Sequence, residues 1–253
     1  MNNRKTRVLA DLNEKRLVKV ISGINNFNKD KVLQIVKASE SMNASCVDIS
    51  AREDIVTEAR ELAQNTALMV SSVKVEELKR AVELGADMIE LGNFEALHDE
   101  GIFPSAAEVL EMASQIMQIK ADALVSITVP GHLSVADQVR LAEKLEELGV
   151  DMIQTEGASL VDTDKAAALG QIEKARLTLA NTIELSKVLS ETFIITASGI
   201  TPDTAKLAIA AGANGVGVGQ YINKLESSLE MMAAITALKE KLEGARKLSP
   251  AVV

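Results

Sequence analysis

Gly85-Ala86-Asp87-Met88-Ile89-Glu90 is one of four versions of a single short phrase in this chain. The others are Asn43-Ala44-Ser45-Cys46-Val47-Asp48, Gly149-Val150-Asp151-Met152-Ile153-Gln154 and Gly212-Ala213-Asn214-Gly215-Val216-Gly217. Each follows an amphipathic helical stretch and opens a short apolar run. A recurring helix–turn–strand phrase marks a fold assembled from repeated βα units.

Working outward from the four phrases, strands are expected at 17–22, 45–50, 67–71, 87–91, 123–129, 151–155, 193–197 and 214–218. Helices are expected at 28–42 with Asn28 as cap, 52–64, 74–84 closed by Gly85, 105–120 and 134–148 closed by Gly149. Another starts after Thr201-Pro202 with Thr201 as cap, and a last one covers 221–243, with Leu229, Met232 and Ile235 on one packing face. Residues 4–16 read as a short polar helix across the barrel floor. The segment 157–171 breaks the rhythm and reads either as a mobile lid or as a surface loop with a helical turn. Most strands are continuous apolar runs, as expected for parallel strands covered on both faces. Eight such units in 253 residues predict one α/β domain over 1–253, a phosphate-binding (β/α)8 TIM barrel, which typically has about 250 residues. A doubly wound open sheet is the rival, and the regularity of the units favours closure.

Composition narrows the function. The net charge is −9, and aromatic residues make up 2% of the chain, with no Trp. Such a surface repels nucleic acid and anionic lipid, and it lacks the rings that stack on bases. No apolar run is long enough to insert across a bilayer. The opening Met1-Asn2-Asn3-Arg4-Lys5 leads into a charged helix rather than a secretory apolar stretch, so a cytoplasmic setting is expected. Cys46 is the one cysteine; inside an apolar run it reads as a small buried hydrophobe rather than a nucleophile. With two histidines and no zinc-type spacing, no metal site and no cofactor are expected. Oligomeric state is left open.

Phosphate sites in these barrels use the loops after the last two strands. Here those loops begin Ala197-Ser198-Gly199-Ile200-Thr201-Pro202 and Gly217-Val218-Gly219-Gln220. Glycine lets the backbone approach an anion, and its N–H groups donate to it. Ser198, Gly199, Gly217 and Gly219 are therefore the candidate phosphate-binding residues, and an acidic protein needs no Lys/Arg cluster for this. The spacing of Gly215, Gly217 and Gly219 is not a dinucleotide fingerprint. Glycine packing between strand and helix is the structural alternative.

Side chains alternate across a strand. Aligning the four phrases directs Asp48, Glu90, Gln154 and Glu156 into the barrel near its mouth. Lys19, between Val18 and Val20 on the first strand, must then be paired, neutral or reactive; Asp48 is its expected partner. Thr128, Thr196 and Ser198 would complete a polar floor. Two readings stand. In one, Lys19 forms an imine or transfers a proton, with Asp48 and Glu90 as acid/base partners; Asn93, Thr128, Gln154 and Glu156 orient a substrate. In the other, Lys19, Asp48 and Glu90 form a buried ion network that fixes packing. His132 is a loop histidine that reads as solvated more readily than as an acid/base, and His98 is discounted.

Several phrases resemble the uncharacterised hypothetical chloroplast open reading frame 23 family of cyanobacteria and plastids. They are Lys19-Val20-Ile21-Ser22-Gly23 with Asn25-Asn26-Phe27, Gly85 through Phe94, Ser126-Ile127-Thr128-Val129-Pro130, Gln154-Thr155-Glu156-Gly157, Ile172-Glu173-Lys174-Ala175 and Gly212 through Gly219. The similarity runs along nearly the whole chain. The last two loops also resemble the wider ribulose-phosphate-binding barrel superfamily, which includes thiazole synthase. The resemblance implies the barrel and a plastid-stromal or cytoplasmic setting; it implies no activity, and the phosphorylated small-molecule ligand is expected from the glycine loops alone. The family pattern places a histidine directly after the strand-five proline, whereas Gly131 intervenes before His132 here.

Overall fold

The computed structural model describes residues 2–157 and 163–246, with the side chains of 96, 99, 163–174 and 246 left aside. Strands β1 (Leu17–Ile21), β2 (Cys46–Ser50), β3 (Ala67–Ser72), β4 (Met88–Leu91), β5 (Leu124–Val129), β6 (Met152–Thr155), β7 (Phe193–Thr196) and β8 (Gly215–Val218) close into a parallel barrel in sequence order. Closure is the β1–β8 pairing, which sets Lys19 beside Gly217. The open-sheet alternative is thereby excluded.

Helix α1 (Asn3–Asn13) lies across the N-terminal end, and α2 (Lys29–Ser41), α3 (Glu53–Leu62), α4 (Val75–Glu83), α5 (Ala106–Ile119), α6 (Val135–Leu148), α7 (Thr163–Ser186), α8 (Ala205–Ala210), α9 (Gln220–Asn223) and α10 (Ser228–Arg246) follow. A 3-10 turn over Phe94–Glu100 leaves β4. The local signals act as expected. The Asn28 side chain accepts from Lys31 N at the start of α2, and Ser105 with Glu108 forms a reciprocal capping box on α5. Gly149 closes α6 in a left-handed conformation, φ 82°.

Two hydrophobic layers result. Val18, Val20, Val47, Ile49, Ile89 and Ile153 face the helices. Leu17, Cys46, Met69, Met88, Leu124, Met152 and Ile195 fill the lower barrel and meet Val8 and Leu12 of α1. Cys46 is buried in this apolar plug, and burial pushes its thiol up to about 12, so it is inert as a nucleophile.

The repeated phrase has a structural cause. Its third residue accepts a hydrogen bond from a backbone N–H at the start of the preceding strand: Ser45 Oγ from Val18 N at 3.1 Å, Asp87 Oδ2 from Leu68 N at 3.0 Å, Asp151 Oδ2 from Val125 N at 2.8 Å and Asn214 Oδ1 from Ile194 N at 2.9 Å. These amides lie where ladder pairing begins, and a buried unpaired N–H is costly. Asp87 is the most heavily used clamp. It also accepts from Asn2 Nδ2 at 2.6 Å and pairs with Arg4 at 2.9 Å and Arg60 at 2.6 Å.

Four expectations are corrected. Residues 163–171 of the anomalous segment belong to α7; 158–162, where a lid would sit, lie outside the described residues. Helix α8 is capped at Thr204, whose Oγ1 accepts from Thr201 N at 2.9 Å, so 201–204 is a turn rather than a first helical turn. The last helix is interrupted at 224–227, because Ser227 and Glu230 start α10 with a fresh capping box; Leu229 is 73% exposed and does not pack with Ile235. Thr196 faces α7 rather than the barrel, its Oγ1 2.7 Å from that of Thr182.

Candidate active site

The even strands deliver their polar side chains inward in the register the repeated phrase requires. Lys19 is 1% exposed. Its Nζ lies 2.7 Å from Glu90 Oε2, 3.1 Å from Asp48 Oδ2 and 2.9 Å from Gln154 Oε1. The ammonium donates hydrogen bonds to Glu90 and Gln154, and Asp48 completes its surroundings as an ion pair. The Gln154 amide is oriented from its other side, with Nε2 donating to Glu90 Oε1 at 3.0 Å and to Thr128 Oγ1 at 3.3 Å. Ser126 Oγ donates to Glu90 Oε2 at 2.7 Å, and Ser71 Oγ donates to Asp48 Oδ1.

The electrostatics follow from one cation between two carboxyls in a dry barrel. Burial works against the Lys19 charge, but the attraction of Asp48 and Glu90 and the hydrogen bond to Glu90 outweigh it and raise the pKa. Lys19 is therefore an ammonium, which is not a nucleophile until it loses a proton. Burial, opposed by Lys19 and reinforced by Glu90, pushes the Asp48 carboxyl up to about 6.

Glu156 stands two residues beyond Gln154, 4% exposed, and ties three loops together. Its Oε1 accepts from Glu95 N at 3.1 Å and its Oε2 from Gly131 N at 3.3 Å. Burial pushes it up to about 8, against the pull of those two amides. A carboxyl that holds its proton at neutral pH can serve as an acid.

The barrel mouth carries backbone strain. Asn93 at the end of β4 and Ser198 after β7 are left-handed, φ 63° and 71°, followed in the second case by Gly199 at 73°. Non-glycine residues rarely hold this conformation, and such residues cluster at binding loops. Gly157 abuts Ser198: a Cβ there would lie 3.2 Å from Ser198 Cβ. Gly217 faces the interior, where a Cβ would come within 3.0 Å of Ile21 Cδ1 and 3.2 Å of Gln154 Oε1. Gly219 precedes α9.

Lys19, Asp48, Glu90, Thr128 and Gln154 thus form one connected cluster, Glu156 lies in the turn of β6 above it, and Asn93, Ser198, Gly199 and Gly219 occupy strand ends at the mouth. Two cluster members escaped sequence reading, Ser71 and Ser126; extending the inward alternation to β3 and β5 would have found them. His98, discounted from the sequence, has its Nε2 3.3 Å from His132 Nδ1, and Phe103 stacks on its ring. His132 Nε2 lies 3.0 Å from the Pro104 carbonyl, and burial lowers its pKa. It is half-buried, with ring contacts to His98 and Phe103.

A family model described as "Protein of unknown function (DUF561)" matches residues 1–248. The chain belongs to this family. Among its relatives is the "Uncharacterized protein ycf23" of Cyanophora paradoxa, 36% identical over 236 residues, covering 91% of this chain and 94% of that protein. The protein of the same name from Cyanidium caldarium is 32% identical over 242 residues, covering 96% of each. The resemblance read from the sequence phrases is therefore correct. Among solved structures, 3-hexulose-6-phosphate synthase from Salmonella typhimurium superposes with a TM-score of 0.65 at 14% identity, over 90% of this chain and 99% of that one. "QR15, an Aldolase" gives 0.63 at 19%, over 93% and 98%. Thiamine phosphate pyrophosphorylase from Pyrococcus furiosus gives 0.61 at 17%, over 92% and 98%. At these identities the likeness is one of fold. Among the described residues no helix is long and apolar enough to cross a membrane.

Proposed function

We propose that this member of the DUF561 family is an enzyme acting on a small phosphorylated metabolite at the C-terminal mouth of the barrel. The reading rests on one observation above all: an ammonium with two carboxyls and an oriented amide, Lys19–Asp48–Glu90–Gln154, is built into the half of the barrel that faces the strand-end loops. Backbone N–H groups around Ser198, Gly199, Gly217 and Gly219 hold the phosphate; Asn93, Thr128, Gln154 and Glu156 orient the substrate. Lys19 transfers a proton, with Asp48 and Glu90 as acid/base partners. Proton transfer is favoured over imine formation because the ammonium is hydrogen-bonded to Glu90 and Gln154 and paired with Asp48, and the carboxyls keep the charge in place. Lyase, isomerase and synthase chemistry are each compatible with such a step. The phosphorylated compounds in the names of the structural neighbours, a hexulose phosphate and thiamine phosphate among them, support the ligand class by analogy of fold.

The experiment is a turnover screen of phosphorylated sugars and acids, with and without borohydride. Turnover reduced about 10²–10⁴-fold in Asp48→Asn or Glu90→Gln, with no borohydride-trapped lysine, supports proton transfer. A trapped lysine adduct requires the imine instead.

A second reading has its own observation. Lys19 is only 1% exposed, as a purely structural ion network would be. On that reading the barrel binds a metabolite without turning it over. Saturable binding of a phosphometabolite, with no substrate consumed by the wild-type chain across the screen, would favour it.

A further inference from the structure

A cavity of about 210 Å³, open to solvent on one side, lies at the opposite end of the barrel and is lined by Arg7, Asp11, Arg16, Asn43, Ser45, Lys239 and Glu243. Three cations converge there. Arg7 Nη2 donates to the Ala44 carbonyl at 2.5 Å, and Lys239 Nζ to the carbonyls of Met42 and Asn43 at 2.8 and 3.2 Å. These bonds satisfy the carbonyls of the turn that follows α2. They leave both positive charges without a carboxylate within 4 Å among the described residues. Asp11 is already engaged: it accepts from Ser45 Oγ at 2.7 Å and pairs with Arg16 Nε at 3.0 Å.

Two donors in this cavity are orphaned. Arg7 Nε and Arg16 Nε are buried without a hydrogen-bond partner; Arg16 Nε lies between two carboxylates, 3.0 Å from Asp11 Oδ1 and 3.3 Å from Glu14 Oε2, in ion pairs whose N–H is aligned on neither oxygen, so the unbalanced charge is that of Arg7 and Lys239. A buried guanidinium N–H without an acceptor is costly, and a planar donor fork suits an oxyanion. The positive field is also felt by Lys239, whose pKa is lowered by burial and by Arg7, with Asp11 and Glu243 partly offsetting and Arg16 adding to the effect. The two lining carboxylates disfavour a polyanion and leave room for one compact negative group.

We propose that this cavity binds a small oxyanion, inorganic phosphate or the phosphate group of a monoester, between Arg7, Arg16 and Lys239. It is separate from the mouth and lies below the apolar plug of the lower barrel.

The test is calorimetric titration of the full-length chain with inorganic phosphate, and in parallel with glycerol phosphate as a monoester. Lys239→Met and Arg7→Gln are each expected to weaken one equivalent of phosphate binding at least tenfold, and Lys239→Arg to restore it. Binding at the mouth would persist unchanged in all three variants, so failure there and failure here read out separately. Should Lys239→Met fold poorly without phosphate, Arg7→Gln carries the test. Glycerol phosphate binding with the same variant dependence assigns the site to a metabolite; binding of inorganic phosphate alone assigns it to the free ion. Isotherms for Lys239→Met and Arg7→Gln that match the wild type overturn the proposal.

Discussion

Lys19 Nζ and Gln154 Oε1 stand 2.9 Å apart across the barrel interior, between β1 and β6, which are not neighbours in the sheet. The contact spans the closed barrel and sets the orientation of an amide that also serves Glu90 and Thr128. Removing any member therefore leaves a buried polar group stranded rather than only one bond fewer.

For Lys19→Met the stranded groups are Asp48 and Glu90. Loss of the only ammonium in the cluster is expected to destabilise by about 3–5 kcal/mol, on the order of 10 °C in melting temperature for a chain of this size. The triple variant Lys19→Met/Asp48→Asn/Glu90→Gln is expected to recover most of that loss. Thermal unfolding of the two variants checks this; a single variant that melts with the wild type would remove the electrostatic premise.

Glu156 gives a pH signature. Its folded pKa of about 8 lies above the unfolded value of about 4.3. The folded state therefore holds the proton more tightly, and this contribution to stability is full below about pH 4.3 and lost as pH rises through about 8. Between pH 6.5 and 8 the loss is about 2 kcal/mol. Asp48, at about 6, has mostly finished its own titration by then. Urea unfolding at a series of pH values should show stability falling across this window in the wild type and nearly level in Glu156→Gln. Parallel slopes would mean that Glu156 is already ionised.

The clamps at the strand starts should rank by how much each holds. Asp87→Ala strands Leu68 N and releases Arg4 and Arg60, for an expected cost of about 3–5 kcal/mol. Ser45→Ala strands Val18 N alone on the strand side, for about 1–3 kcal/mol. The Asp87 carboxyl is held below its usual range despite burial, by Arg4, the Leu68 amide, Asn2 and Arg60. Its contribution is present above about pH 4 and lost as pH falls through the lowered value. Denaturant midpoints at pH 7 and pH 3.5 check both the order and the sign: the gap between Asp87→Ala and wild type should narrow in acid.

The inward column was legible because β2, β4 and β6 repeat one phrase, and alternation then places Asp48, Glu90 and Gln154 without further information. The same device gave Lys19 its partner. It could not orient Thr196, because Phe193-Ile194-Ile195-Thr196 is buried on both faces and carries no polar alternation. Thr155, Thr178, Thr182 and Thr196 instead bond to one another between barrel and helix. Helix α7 as a whole was given no range in the sequence, and its opening Ala166-Ala167-Ala168-Leu169-Gly170-Gln171 has no apolar period to read. The break before α10, by contrast, was written in Ser227-Ser228-Leu229-Glu230, a capping box overlooked inside a long helical pattern. The two orphaned arginine N–H groups at the floor depend on contacts between α1, α2 and α10, which no local pattern encodes.

The most direct test of a phosphate-binding mouth above a buried ammonium is a crystal structure grown in saturating inorganic phosphate. The expected result is an anion held by backbone amides of Ser198, Gly199 and the Gly217–Gly219 segment, on the side of the barrel that Lys19 and Gln154 face. Density for phosphate at the Arg7–Lys239 cavity alone, or a mouth empty of any anion at that concentration, would contradict it.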